Sequence, residues 1–129
     1  MTGQAPSAAE IERMARAAMA QLPEMFRAHL GDVVLRVEEV ADAETLAALG
    51  IRHPLALSGL YHGRPIGEKS SMDSGTLPDT ITLYRQSILR EWFETGVDLD
   101  ALVTHILVHE VGHHFGLSDD DMHRLEREE

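Results

Sequence analysis

Hydrophobic residues recur along this chain with two different periods, and the places where the period changes divide it into elements. From Ser7 onward the apolar positions Ile11, Met14, Ala18 and Leu22 fall three or four apart, the spacing of one helix face. Ser7 followed three residues later by Glu10 is the signature of a capped helix start. Pro23 opens a second, short helix over residues 24–30, which Gly31 closes. The period then shortens. Residues 33–40 are rich in β-branched side chains and partly alternate, so a strand with one better-buried face is expected. Asp42 caps a short helix that runs to Leu49 and ends at Gly50. Residues 57–63 read as a second strand and residues 79–85, with clear alternation, as a third. Between them residues 64–78 carry Pro, Gly, Ser and Asp without any period, one long loop that is either a flap over a site or a plain connection. A helix over residues 86–95 stops at Gly96, and Asp98 caps a final long helix with Asp100 in its first turn. Residues 1–6 read as a loose tail and residues 119–129 as a short exposed helix.

The final long helix has an unusual wheel. Val103, Leu107, Val108, Val111 and Phe115 cover most of one side, and Leu102 and Ile106 flank a stripe of histidines on the other. A helix apolar nearly all round is buried, and polar residues on it are costly unless they bind something. His109 and His113 stand four apart, about 40° from each other around the axis, so both point the same way and can share one metal ion. Glu110 lies at the edge of that face, where a carboxylate reaches a water on the metal without being a ligand. The expected ion is zinc. Two imidazoles, one carboxylate and a fourth position left to water make the ligand set of a catalytic zinc site. The helix is expected to stop at Gly116 and the chain to reverse, which brings Asp119 back as third ligand. The resulting H-E-x-x-H-x-x-G-x-x-D has metzincin-type spacing with aspartate in the place of the third histidine. Asp120, Asp121 and His123 are rivals for that third position. His105, one turn earlier on the same face, lies too far along the axis for a site centred between the other two and is assigned a packing or outer-shell role. His114 points elsewhere, as a hydrogen-bonded or solvent-exposed histidine.

Composition narrows the classes of partner. At 129 residues the chain is expected to form one domain over its whole length. It carries 22 acidic against 11 basic residues, and a net charge of −11 repels nucleic acid and anionic membrane surfaces. Without cysteine, metal ligation must come from histidine and carboxylate. The first residues lack a basic segment followed by an apolar one, and no apolar run approaches the roughly 20 residues of a membrane span. A cytoplasmic monomer acting on peptide or protein is the expectation.

The strand at residues 81–85 and the run from His109 through Gly116 to Asp121 resemble the small bacterial zincin-like metallopeptidases, sometimes called minimal metalloproteases. The resemblance is specific over residues 78–122 and looser over residues 33–63, where Leu60, Tyr61 and Gly63 also fit. It implies an α+β fold in which a small mixed sheet packs on a buried metal-binding helix. His109, Glu110, His113 and Asp119 are the positions that match the family's motif.

These readings converge on a zinc peptidase in which His109, His113 and Asp119 hold the ion and Glu110 is the general base. Tyr84, Tyr61 and His123 are candidate oxyanion stabilisers. A strand at residues 81–85 or 57–61, if at a sheet edge, would align extended substrate by β-augmentation. The alternative is a zinc-containing interaction module that keeps the site without turnover. Its motive is the short run after Gly116, which leaves no room there for a lower wall to a substrate cleft or for a Met-turn.

Overall fold

The computed structural model describes residues 5–63 and 79–116. Its strands are β1 (Val34–Glu38), β2 (Gly59–His62) and β3 (Thr80–Tyr84), arranged β1-β3-β2 with β3 parallel to β1 and antiparallel to β2. The helices are α1 (Ala8–Ala20), α2 (Glu24–Arg27), α3 (Ala43–Leu49), α4 (Arg85–Thr95) and α5 (Leu99–Phe115), with a 3-10 turn at Pro54–Ala56. This is the expected α+β arrangement, a small mixed sheet packed on the helix that carries the histidines.

Local chemistry accounts for most element ends. Ser7 and Glu10 form a complete capping box: the Ser7 hydroxyl accepts from the Glu10 N–H at 3.1 Å, and the Glu10 carboxylate accepts from the Ser7 N–H at 2.8 Å. The Asp42 carboxylate accepts from the Thr45 N–H at 2.7 Å. Two expectations were too generous. The second helix ends at Arg27 rather than Leu30, its last residues taking isolated turns, and Asp98 sits at the N-cap of α5 without a side-chain hydrogen bond.

α5 does not need that cap. Leu99, Leu102, Val103, Ile106, Leu107, Val108 and Val111 are all buried in the main core with Ile11, Ala15, Ile81, Leu83 and Ile88. Each such aliphatic side chain contributes roughly 1.5–3 kcal/mol, against about 1 kcal/mol for a cap. α5 is therefore held by its neighbours, and its remaining stripe is free to carry chemistry.

The sheet separates two apolar regions. Ile81 and Leu83 of β3 face the main core, whereas Tyr84 joins a smaller cluster with Ala41 and Leu46. β3 is the central strand, paired on both sides, with Ile81 through Tyr84 all buried. It therefore cannot align an added strand, which corrects the expectation for residues 81–85. Of the two strands considered for that role, β2 is the one at an edge among the described residues. Among the described residues no helix is long and apolar enough to cross a membrane.

Candidate metal centre

Successive turns of α5 stack His105, His109 and His113 in a ladder, with ring centres 5.8 Å and then 5.6 Å apart. Two imidazoles on one tetrahedral ion, each bound at about 2.0–2.1 Å, place their ring centres roughly 5 Å apart. The His109–His113 pair passes that test, and so does His105–His109, so ring spacing alone does not choose between them. Glu110 does. Its Oε1 lies 3.2 Å from His113 Nδ1, and both His113 and His109 act electrostatically on its carboxylate. The donor chemistry fits a metal: His109 Nδ1 is buried without a hydrogen-bond partner, an arrangement a bound ion in contact with that ring would help to hold in place.

The helix stops where expected. Gly116 takes the left-handed conformation, φ 71° and ψ 29°, and its N–H turns back to the Gly112 and His113 carbonyls. The reversal that a third ligand beyond the helix requires therefore begins at the right place. Asp119 and its rivals Asp120, Asp121 and His123 lie outside the described residues, as does the 64–78 loop. Among the described residues no group of three metal-ligating side chains converges, so the described part of the site is the pair and its carboxylate neighbour.

Glu110 is buried, 7 % exposed, and burial holds its carboxyl above the usual carboxylate range. His113, His109 and a hydrogen bond from the Tyr61 backbone N–H oppose that shift. The carboxylate reaches this position because β2 has no side chain at Gly59. A Cβ there would stand 2.9 Å from Ile106 Cγ2, 3.3 Å from Glu110 Cγ and 3.4 Å from Glu110 Oε2. Gly59→Val is accordingly expected to destabilise the protein by about 1–3 kcal/mol through overpacking, read as a lowered urea midpoint at unchanged slope. An unchanged midpoint would mean that β2 does not press on Glu110.

Behind the last turn of α5 lies a polar cluster in which His114 is the hydrogen-bonded histidine expected, buried rather than solvent-exposed, while its partner Asp79 was not foreseen. The Tyr61 hydroxyl donates to Asp79 Oδ2 at 2.9 Å, and His114 Nδ1 lies 3.1 Å from the same oxygen. Asp79 is 6 % and His114 2 % exposed, and the Tyr61 and His114 rings meet edge to face at 5.7 Å. The cluster ties β2, the head of β3 and the C-terminal end of α5 together, with His114 next to His113. Asp79 carried no signal beyond its place at the start of a strand. His114 did carry one, since it follows Leu107 and Val111 by seven and three residues on the buried face, and a histidine there requires a partner.

Of the oxyanion candidates, Tyr61 and Tyr84 fall within the described residues. Tyr61 commits its hydroxyl to Asp79. Tyr84 is 4 % exposed, and burial, followed by the charges of Glu38, Asp42 and Glu110, raises its phenol pKa. His123 lies outside the described residues.

A family model described as zincin-like metallopeptidase matches residues 30–129. A search of curated proteins gives no match. The matched span starts just ahead of β1 and takes in the whole sheet, α5 with its histidine pair and Glu110, and the segment beyond Gly116. By that match, and by the α5 geometry within it, the chain belongs to the zincin-like metallopeptidase family.

Proposed function

We propose that the protein is a zinc-dependent peptidase whose metal is held by His109, His113 and Asp119. When bound, zinc supplies Lewis acidity, polarising the scissile carbonyl and making water acidic enough to attack near neutral pH. Glu110 takes the proton of the attacking water and returns it to the departing amine. Among the described residues β2 pairs with β3 along one side, and its other side, where the Tyr61 N–H holds Glu110, is the candidate place for an extended peptide to run beside that carboxylate.

The observation that carries this reading is the placement of Glu110: buried, bonded by the Tyr61 N–H, packed over Gly59 and 3.2 Å from a ring of the histidine pair. A carboxylate that merely decorated the helix would not be confined so. Incubating the protein, loaded with one equivalent of zinc, with a mixed peptide library is the test. New termini should appear by mass spectrometry and should vanish when a chelator strips the metal. Full zinc occupancy without any cleavage would leave the non-catalytic module as the better reading.

A further inference from the structure

A groove of about 240 Å³ opens on His109 and Glu110 and extends to α4. Its apolar walls are Ala56, Gly59 and Ile106, and its polar groups are Ser58, Glu91 and His105. The Glu91 side chain is half-buried there, and its carboxylate accepts from the Ser58 hydroxyl at 3.4 Å. Its helical neighbours are otherwise engaged, since Arg90 pairs with Glu94 at 3.2 Å. Among the described residues no lysine or arginine pairs with Glu91.

We infer that this groove is a specificity subsite for a basic substrate side chain, with Glu91 as the group that recognises its charge. The inference rests on the peptidase reading and specifies its substrate class. Lysine and arginine carry an apolar stem ending in a cation, and the groove offers apolar walls with a carboxylate in one register. A half-buried carboxylate without a cation gains most from a charged donor, which it binds more strongly than a neutral one. Ser58 steadies the acceptor. The net charge of −11 acts in the same sense, drawing cationic peptides toward the surface. The missing side chain at Gly59 leaves the groove continuous with Glu110, so an occupant would lie beside the bond to be cleaved.

The test has a turnover arm and a binding arm. In the first, kcat/KM of the zinc-loaded protein is compared for N-acetylated peptides that differ only in carrying Arg, Leu or Glu at each position flanking the scissile bond. One position should favour Arg over Leu by about tenfold or more, the worth of one hydrogen bond to a charged group. Glu91→Gln should collapse that ratio, and Glu91→Lys should invert it toward Glu. Cleavage without a basic preference, or a preference unchanged in Glu91→Gln, overturns the subsite while leaving the peptidase intact. The binding arm uses zinc-loaded Glu110→Gln, so it reads out even where nothing is cleaved. Acetyl-Ala-Arg-Ala-amide should bind at least tenfold tighter than its Leu counterpart and shift the Ser58 and Glu91 amide resonances. Equal binding of the two overturns the subsite on its own. Free-amine Leu peptides that bind as tightly as the Arg peptide would place an N-terminal ammonium in the groove instead of a side chain, also against the proposal.

Discussion

Glu110→Gln is expected to lower kcat/KM on order of 10²–10⁴-fold, the range that a positioned general base contributes, while leaving zinc affinity close to that of the parent. Glutamine fills the same space over Gly59 and can still accept from the Tyr61 N–H, so the fold loses little. What it lacks is the carboxylate that takes a proton. The split between turnover and metal content is the informative feature. A ligand would lose both, and a bystander would lose neither. Because the Glu110 carboxylate lies 3.2 Å from His113 Nδ1, the variant also perturbs that ring's neighbour, and a loss of affinity of no more than about tenfold, the low end for an outer-shell partner, fits the assignment. Parallel measurement of peptide hydrolysis and bound zinc checks it. Equal turnover in the variant would remove Glu110 from the chemistry.

The second large effect concerns the third ligand. Asp119→Ala should weaken zinc binding by a hundredfold or more, beyond what an outer-shell residue supplies, with Asp120→Ala and Asp121→Ala close to the parent. Among the described residues the core gathers around Leu107, Val108 and Val111. Loss of affinity should come without loss of the metal-free fold, read as an unchanged melting temperature of the chelated variant. With the proposed ligands zinc would bind the native state and not the unfolded chain, so the melting temperature of the zinc-loaded parent should stand above that of the chelated protein, and Asp119→Ala should erase most of that gap. Competition with a zinc chelator of known affinity, run on all three variants, decides the matter. If Asp119→Ala binds like the parent and Asp120→Ala or Asp121→Ala does not, the spacing has been misassigned.

Much of this account was legible because local chemistry wrote it. The Ser7–Glu10 capping box, the Asp42 cap, the helix ends at Gly50, Gly96 and Gly116, and the apolar wheel of α5 each follow from residues within a turn or two of one another. The candidate site was legible for the same reason, since His109, Glu110 and His113 lie within little more than one helical turn. What escaped depends on contacts distant in sequence. The central place of β3 is set by its pairing with residues 34–38 on one side and 59–62 on the other, although an element buried at every position from Ile81 to Tyr84 is the form a central strand takes. The Tyr61–Asp79–His114 cluster joins three elements, so no local pattern contains it. Gly59 read as part of a strand, and only the approach of α5 shows why a side chain is absent there. Glu91 had no partner in the sequence because its surroundings come from the 3-10 turn, β2 and α5.

If α5 holds a catalytic zinc through His109 and His113, X-ray absorption of the zinc-loaded protein should show two imidazole nitrogens at about 2.0–2.1 Å with the remaining ligands oxygen. Measured beside it, His113→Ala should lose one imidazole and His105→Ala none. Three imidazoles in the parent, or a signal that falls with His105 and survives the loss of His113, would refute that ligand pair.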